Sequence, residues 1–453
     1  MTKIALKYFF LFTLIHQLCI SECFSQEAYF DTITCINNPE VSYSVYQPDG
    51  FLHGKMIYIL DPAGRSELAI SKFKLIADQL NIMLVCSENS KNGPIDNNIS
   101  IFNAVFSDSK ERYAFDTSNV ILSGFSGGSR AAFRISTYNK NKVFAMIGCG
   151  AGLPSNIKIS SDLEFNYAGI TGITDMNFYE MLNLDTQIKN RSNKSNIFFF
   201  SGGHSWPPDS VLLLAARWVI FAGNKNESSI DDLFNLYQTI IDQNKQYFEP
   251  WVKAYQLEAL IESLHDESDT KTISDELLAI QLDPTFKKKS KSFEDYRSVF
   301  LDETTEIVDE IGKIKVSNLS DIPLEPISWW TSKIQMINGF INSKSLEKRN
   351  MGLRLQDFLW RNCYEQGAIS YNESEYTVVM KFDDIMKQIK PESYIPWIRS
   401  ANCYVKTGDH SMALNNLKNA VQRGFSNKTY LKNNFESLSS ERGYQKILED
   451  LNE

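Results

Sequence analysis

The chain of 453 residues is long enough for about three domains, and its 43% apolar and 22% charged residues are typical of a folded globular protein. Seven cysteines are too few for a disulfide scaffold, and 22 glycines with 13 prolines are too few for a fibrous or low-complexity chain. The formal net charge is −9 and no basic run exceeds Lys287 to Lys289, which argues against a nucleic-acid partner or an anionic-membrane surface.

The first 25 residues have the pattern of a secretory signal peptide. Two lysines precede a mostly apolar run from Tyr8 to Ile20, which is too short to span a bilayer comfortably, and the small residues Cys23 and Ser25 follow. Cleavage is predicted after Ser25, with a buried N-terminal helix as the alternative. A lipoprotein site fits less well because the flanks of the two early cysteines are not small enough. We therefore expect a secreted or periplasmic protein with no membrane span.

Cleavage would leave five widely spaced cysteines, whose spacing excludes a CxxC metal or redox motif. Most are expected to be small core residues, and a disulfide from Cys35 is left open. The five are Cys35, Cys86, Cys149, Cys363 and Cys403.

The first half of the chain alternates short apolar runs with longer amphipathic ones. Runs rich in Ile, Val, Phe and Tyr predict strands at 41–46, 55–60, 82–85, 120–123, 143–148, 167–172 and 196–200. Helices are predicted between them at 67–79, 100–106, 129–138, 177–188 and 209–221. This alternation predicts an α/β fold with a mostly parallel, doubly wound sheet over about residues 26–224.

The second half, about residues 225–453, is predicted to be all-α because glycine becomes scarce and apolar residues recur three or four apart. Near residues 394–425 the sequence resembles a tetratricopeptide repeat, whose helices pack closely through small residues. A single repeat cannot bury its own face, so earlier helices must complete the stack. A generic helical hairpin is the alternative. The matching residues are Trp397, Ala401, Tyr404, Gly408, Ala413, Leu417 and Ala420.

A G-x-S-x-G motif follows the predicted strand at 120–123 and precedes a helix. In such a turn a strained serine projects from the sheet edge, and flanking glycines keep side chains clear of strand and helix. The motif, Gly124 to Gly128, therefore makes Ser126 the candidate nucleophile. The N–H of Gly127, at the start of the helix, is a candidate oxyanion donor.

The nucleophile needs a base, and the chain beyond the signal peptide has only four histidines. His53 precedes Ser126 and lies in a predicted turn, while His265 and His410 lie in the helical half. His204 follows the last predicted strand, in a loop from which it could reach Ser126, so it is the candidate base. An ordinary capping histidine is the alternative.

The acid that orients the base is expected between the serine and the histidine in the chain, at a strand end. Asp175 meets both conditions, although it could instead cap the helix predicted from residue 177. Asp162 and Asp185 are rivals, the first before its strand and the second within or beyond the following helix. In this scheme Asp175 fixes the tautomer of His204 and stabilises its charge.

A second oxyanion donor is expected from the turn after the strand at 55–60, in the N–H of Ala63 or Gly64. Arg65 is a weaker candidate for that donor. It could also bind a substrate carboxylate, although a structural or solvated arginine explains it equally well. Phe125 and Trp206 are further candidates for contact with the substrate.

These residues resemble the α/β-hydrolase superfamily, and in particular its secreted polyhydroxybutyrate-depolymerase-like and feruloyl-esterase-like members. The resemblance rests on the turn from Asp61 to Arg65, the motif from Gly124 to Gly128, and the segment Gly202 to Pro207, which is similar to G-G-H-x-W-P-G with Pro208 in place of the last glycine. The spacing also resembles dienelactone hydrolases, from which this chain departs in having a serine nucleophile. Over about residues 40–222 the resemblance implies ester hydrolysis through an acyl-enzyme, with no metal or organic cofactor.

Three functions are compatible with this sequence. The first is a serine esterase acting on a polysaccharide acyl or feruloyl group or a short polyester, with the helical region binding a protein partner or shaping access to the site. The second is a serine peptidase on the same fold, and the third is a binding scaffold in which a degenerate hydrolase domain supports helical repeats. Intact Ser126, Asp175 and His204 argue against the third.

Overall fold

The computed structural model describes residues 29–139, 142–153, 159, 163–191, 194–223, 230–263, 267–316 and 327–451, so the predicted signal peptide lies outside the described residues. The chain divides into two compact units. The first contains the described residues up to Ile170, together with Glu180–Phe198 and Trp206–Ile240. The second contains Thr171–Tyr179, Phe199–Ser205 and the described residues from Ile241 onward. The predicted boundary at 224/225 stays a prediction.

A single sheet of eight strands is formed within the described residues, in the order β1-β2-β4-β3-β5-β6-β7-β8. β1 pairs antiparallel with β2, and β2 antiparallel with β4. β4, β3, β5, β6 and β7 are joined by parallel pairing. The strands are β1 (Tyr29–Thr34), β2 (Ser42–Gln47), β3 (Met56–Leu60), β4 (Met83–Ser87), β5 (Val120–Phe125), β6 (Val143–Cys149), β7 (Asn166–Gly172) and β8 (Ser195–Phe200). The predicted α/β fold with a mostly parallel sheet is confirmed.

The burial of each strand explains why some strands could be predicted from the sequence and one could not. All residues of β3, β4 and β5 are buried, as in parallel strands covered on both faces, and such strands read as continuous apolar runs. β1 was not predicted because it lies at the sheet edge, where Phe30 is 48% exposed and no apolar run is needed.

Five helices belong to the α/β part of the described chain. They are α1 (Ser66–Leu80), α2 (Ile95–Arg112), α3 (Gly127–Tyr138), α4 (Phe178–Lys189) and α5 (Asp209–Gly223). The connection from β3 to β4 runs across the sheet in the opposite direction to those from β4 to β5 and from β5 to β6. Because such crossovers are right-handed, α1 lies on one face of the sheet and α2 and α3 on the other. The predicted doubly wound arrangement follows, with α1 packing against α5 and α2 against α3.

The remainder of the described chain is helical, as predicted. Its helices are α6 (Ile230–Asn244), α7 (Pro250–Ser263), α8 (Glu267–Leu282), α9 (Phe286–Val316), α10 (Ile327–Ile341), α11 (Leu346–Asn372), α12 (Tyr376–Ile389), α13 (Ile395–Thr407), α14 (His410–Gln422), α15 (Lys428–Asn434) and α16 (Arg442–Asp450). None of the described helices is long and apolar enough to cross a membrane.

Helices α13 and α14 form the hairpin predicted near residues 394–425. Gly408 ends α13 in the left-handed region, with φ of 82°, and the side chain of Asp409 accepts the N–H of Met412 at 3.0 Å to cap α14. Ala401 and Ala413 are fully buried, as close helix packing requires. The assignment of this hairpin to the tetratricopeptide repeats stays a prediction.

All five of these cysteines are buried and carry free thiols, where the sequence predicted this for most of them. Cys35 therefore forms no disulfide, contrary to the pairing left open above. Burial raises the pKa of Cys35 to about 11, an effect that Asp108 strengthens, so this thiol is protonated at neutral pH.

Candidate active site

The backbone of Ser126 has the strained geometry of a nucleophile turn. Ser126 lies between the end of β5 and the start of α3, at φ 52° and ψ −122°. Among the described residues, only two other non-glycine residues, Asn81 and Ser374, have a positive φ. Such a conformation costs about 1–3 kcal/mol and persists only where the surrounding structure imposes it. The predicted strand-turn-helix context of Ser126 is therefore present.

The glycines on either side of Ser126 are required by close backbone packing. A Cβ on Gly128 would lie 2.8 Å from the carbonyl carbon of Leu60, the last residue of β3. A Cβ on Gly124 would lie 2.9 Å from the carbonyl oxygen of the same residue. Both approaches are too short for a side chain, so the turn closes only with glycine at these positions.

The turn lies where the sheet reverses its winding. β3 and β5 are neighbours, and the helices that follow them, α1 and α3, lie on opposite faces of the sheet. The gap between the carboxyl ends of these strands is the position where open α/β sheets bind their ligands. Gly127 begins α3, so its N–H is among the first four of the helix, which have no acceptor within it. This position suits the oxyanion role predicted for Gly127.

The turn after β3 is organised around the fully buried carboxylate of Asp61. Its Oδ1 accepts the N–H of Ala63 at 2.9 Å, and its carbonyl oxygen accepts the N–H of Gly64 at 3.2 Å. Both predicted oxyanion donors thus already have acceptors. To act as oxyanion donors, the N–H groups of Ala63 and Gly64 would have to share these hydrogen bonds with the substrate oxygen or break them.

Arg65 is a partner of Asp61. Its Nε and Nη2 donate to Oδ1 and Oδ2 of Asp61, each at 2.9 Å, and its N–H donates to Oδ1 at 3.3 Å. This bidentate ion pair matches the structural role considered for Arg65 and leaves fewer donors for a substrate carboxylate. Burial acts to raise the pKa of Asp61, but the hydrogen bonds from Arg65 and Ala63 outweigh it and lower that pKa.

Trp206 and Phe125, both predicted to contact substrate, lie against each other. Their ring centroids are 5.2 Å apart with the rings 31° from parallel, and Trp206 also contacts Phe73 edge to face at 5.9 Å. The indole N–H of Trp206 donates to Oδ2 of Asp61 at 3.2 Å. Phe125 directly precedes Ser126, so this aromatic pair adjoins the serine turn.

Asp175 and His204, both in the second unit, are brought together as predicted. Nδ1 of His204 lies 3.0 Å from each carboxylate oxygen of Asp175. The side chain of His204 is 3% exposed and that of Asp175 is 0% exposed, so the pair is shielded from water. The N–H of Thr174 donates to the carbonyl of Gly202 at 3.0 Å, which holds the two loops side by side. This is the arrangement in which a carboxylate fixes the tautomer of an imidazole.

The candidate acids differ in the groups that their carboxylates bind. Asp175 also accepts the N–H of Asn177 at 2.8 Å, so part of its capping role is present as well. Asp185 lies in α4, accepts from Ser195 at 2.5 Å and pairs with Lys189 at 3.2 Å. Asp162 lies outside the described residues.

The remaining histidines are surface residues or undescribed. His53 is exposed, and His410 is 40% exposed with Glu441 at 3.9 Å. His265 lies outside the described residues. Among the described residues, no group of three or more His, Cys, Asp or Glu side chains could hold a metal ion.

Two arginines of α11, within the second unit, contact the segments that carry Asp175 and His204. Nε of Arg354 donates to the carbonyl of Ile173 at 2.8 Å, and Nη2 of Arg361 donates to the carbonyl of His204 at 3.1 Å. Neither arginine was predicted from the sequence. Arg354 lies about one helical turn after Met351, on the buried side of α11. A charged residue among apolar residues at helical spacing was the one pattern in the sequence that could have indicated a role for Arg354.

A separate cavity of about 440 Å³ lies within the helical part of the second unit. It is aromatic, and its one charged lining residue, Arg399, is paired with Asp383 at 2.6 Å. Its other lining residues include Tyr364, Tyr371, Tyr394, Asn402, Phe425 and Tyr430. The protein partner suggested for the helical region stays a prediction.

No family model matches this sequence, and no curated protein is similar to it at a significant level. Solved structures with a similar fold include a ferulic acid esterase (12% identity, TM-score 0.35, covering 44% of this chain and 97% of that one). They also include an S-formylglutathione hydrolase from Staphylococcus aureus (10%, 0.36, 43% and 98%) and a feruloyl esterase module from Clostridium thermocellum (16%, 0.32, 40% and 83%). In each of the three, the aligned part is less than half of this chain.

Proposed function

We propose that this protein is a serine hydrolase of carboxylic esters in which Ser126 is the nucleophile, His204 the general base and Asp175 the residue that orients it. The observation that carries the proposal is the backbone of Ser126, held at φ 52° between β5 and α3 by two glycines that pack on Leu60. Backbone strain of this kind concentrates at functional sites. The buried pair of Asp175 and His204 supports the assignment independently.

In the proposed reaction, Oγ of Ser126 attacks the ester carbonyl carbon while His204 takes the hydroxyl proton. The tetrahedral oxyanion is stabilised by the N–H of Gly127 at the start of α3. When this tetrahedral intermediate collapses, the bond between the carbonyl carbon and the alcohol oxygen breaks. The alcohol oxygen receives the proton from His204, and the acyl group stays on Ser126. A water molecule, deprotonated by His204, then attacks the acyl carbon and releases the acid and the free serine.

We propose that the Phe125 and Trp206 pair contacts the acyl group, since Phe125 directly precedes the nucleophile. Trp206 is only partly buried and packs on the buried ring of Phe125, so it offers an apolar surface that favours acyl groups with aromatic or aliphatic character, such as the predicted feruloyl or polyester groups. We assign no substrate contact to Arg65, because its guanidinium is bound to Asp61 on both carboxylate oxygens.

The test is the variant Ser126→Ala, assayed for hydrolysis of p-nitrophenyl acetate and for labelling by a fluorophosphonate probe. We expect loss of both, with an unchanged circular dichroism spectrum. The control is Ser71→Ala, since Ser71 is an exposed serine of α1, and it should retain both. Activity in Ser126→Ala would rule out the proposal.

Assays of the wild-type protein on aminoacyl amides, acetyl esters and the fluorophosphonate probe separate the alternatives predicted from the sequence. A wild-type protein that hydrolyses aminoacyl amides much faster than acetyl esters would be a peptidase. A folded wild-type protein that neither hydrolyses nor takes up the probe would favour the binding scaffold.

We further propose that the chain is exported and cleaved after Ser25, on the pattern of the first 25 residues alone. Expression with the native N-terminus and mass spectrometry of the exported product tests this. A product that retains the first 25 residues would contradict it.

A further inference from the structure

We propose that α11 of the helical region is part of the catalytic apparatus, with Arg354 and Arg361 as positioning residues for Asp175 and His204. This inference rests on the proposed function, because it assigns a role to the same acid and base. It also changes the role of the helical region, which the sequence suggests only as a partner-binding or access-shaping element. All the contacts that carry it lie within the second unit.

Arg354 holds the segment that carries Asp175. Its side chain is fully buried, and its Nε donates to the carbonyl of Ile173, two residues before Asp175, at 2.8 Å. Its Nη1 donates to the hydroxyl of Tyr179 at 2.8 Å, so one guanidinium contacts both ends of the segment from Ile173 to Tyr179. The guanidinium also stacks on the ring of Phe178, 4.0 Å from its centroid.

A buried guanidinium needs a compensating charge, and Glu347 supplies it. Glu347, about two turns earlier on the same helix, accepts from Nη1 of Arg354 at 2.7 Å. Burial acts to lower the pKa of Arg354, but Tyr179 and Glu347 outweigh it and raise that pKa, so the side chain stays charged. Burying a charged guanidinium costs desolvation free energy, so a buried arginine is expected to have a specific role. For Arg354, holding the segment that carries Asp175 is such a role.

Arg361 holds the segment that carries His204. Its Nη2 donates to the carbonyl of His204 itself at 3.1 Å, while its Nε donates to Asp357 at 3.0 Å. Asp357 is in turn paired at 3.3 Å with Lys390, the residue that follows α12. The guanidinium that donates to His204 is therefore held in place by an ion-pair network between α11 and the end of α12.

The two arginines act from a single rigid element. They are seven residues apart, which places them two turns apart on one side of α11, with about 10 Å between them along the axis. The segments they contact, around residues 173–177 and 201–208, are turns and irregular backbone without helical or strand hydrogen bonding of their own over most of their length. Loops of this kind move unless other elements hold them. A single helix that binds both loops fixes the acid and the base relative to each other.

The first test replaces Arg361, which is about one-third exposed and can be changed without leaving a buried hole. In Arg361→Met we expect kcat for p-nitrophenyl acetate to fall by about 10- to 100-fold with KM changed less than about 3-fold, because misplacement of the base affects the transition state more than binding. Arg361→Lys keeps one donor and should recover part of the loss. The control Arg423→Met removes an arginine of the same unit that donates to the carbonyl of Pro391, and should keep wild-type kcat.

A second readout does not depend on activity. The proton between Nδ1 of His204 and Asp175 is expected to give a downfield resonance in the proton NMR spectrum. We expect that resonance to shift or broaden in Arg361→Met and to stay unchanged in Arg423→Met. A protein without esterase activity would refute the proposed function, yet this resonance would still decide whether Arg361 positions the pair.

Arg354 is fully buried, so its own replacement could simply unfold the protein, and Tyr179→Phe is the better variant. It removes the hydroxyl that accepts from Nη1 of Arg354 and keeps the ring. We expect a several-fold lower kcat, unchanged KM and a perturbed downfield resonance. Wild-type kcat together with an unperturbed resonance in both Arg361→Met and Tyr179→Phe would overturn the proposal.

Discussion

The indole N–H of Trp206 donates to the carboxylate of Asp61 at 3.2 Å, although 145 residues separate the two in the sequence. Oδ2 of Asp61 accepts from both Arg65 and Trp206. The ring of Trp206 in turn lies against that of Phe125, which directly precedes Ser126. One buried carboxylate thus connects the turn after β3 with Trp206, two residues after His204. The stability of this arrangement depends on Asp61 being ionised.

The first prediction concerns Asp61→Asn, which removes the charge and keeps the size. The pKa of Asp61 is lowered in the folded protein, so its contribution to stability is present at neutral pH and is lost as the pH falls below about 4. We expect the free energy of unfolding to drop by about 1–3 kcal/mol at pH 7. Urea unfolding at pH 7 and pH 3 measures it. A difference between variant and wild type that is the same at both pH values would contradict the prediction.

The second prediction concerns the strain at Ser126. Glycine adopts a positive φ freely whereas alanine does not, so Ser126→Gly should be about 1 kcal/mol more stable than Ser126→Ala, even after allowing for the greater entropy of glycine in the unfolded chain. Both variants should be inactive. Thermal unfolding of the two compares them directly, and equal or reversed stabilities would show that the turn is unstrained.

The third prediction concerns Asp175→Asn. An amide in place of the carboxylate can donate to Nδ1 of His204 and so favours the tautomer that cannot accept the proton of Ser126. We expect kcat for an ester to fall about 10³- to 10⁴-fold, with a smaller change in KM. The matched control is Asp185→Asn, the rival acid in α4, which should keep kcat near that of wild type. Steady-state kinetics on a p-nitrophenyl ester decides it.

The fourth prediction compares two glycines. A Cβ on Gly128 would meet the backbone of Leu60, so Gly128→Ala should destabilise the protein by several kcal/mol or prevent folding. In Gly312→Ala, within α9, the added methyl meets nothing within 4 Å, and helix propensity should make this variant up to about 1 kcal/mol more stable. Denaturant unfolding of both variants is the measurement. A stable, active Gly128→Ala protein would contradict the packing described for the turn.

The fifth prediction concerns Asp383, a buried carboxyl of α12. Burial raises the pKa of Asp383 to about 6, although Arg399 acts in the opposite direction. Between about pH 4 and pH 6 the folded state therefore binds more protons at this site than the unfolded state, and the stability it contributes declines as the pH rises. Relative to Asp383→Asn, the wild type should lose about 1 kcal/mol of unfolding free energy per pH unit over that range. A difference that stays constant or grows from pH 4 to pH 6 would show that this carboxyl is ionised throughout.

Much of the fold could be read from residue patterns. Central strands such as β3 and β5 are buried on both faces and give continuous apolar runs. The G-x-S-x-G motif around Ser126 indicates where β5 ends, because that motif forms the turn between a strand and a helix. The pairing of Asp175 with His204 was also predictable, because chain order and strand ends restrict the choice. β1 was missed because an edge strand needs no apolar run.

The amino-acid sequence by itself determined the alternation of strands and helices from β2 onward, the serine turn and the acid and base candidates, because periodicity and glycine positions act over a few neighbouring residues. Only the tertiary structure decided that Ala63 and Gly64 donate to Asp61, that Arg65 is an ion-pair partner, and that Arg361 of α11 binds the carbonyl of His204. Those bonds join residues through space, and for Arg361 the partner is 157 positions away. A hydrogen bond over that separation is set by how helices and loops pack, which leaves no local pattern in the chain.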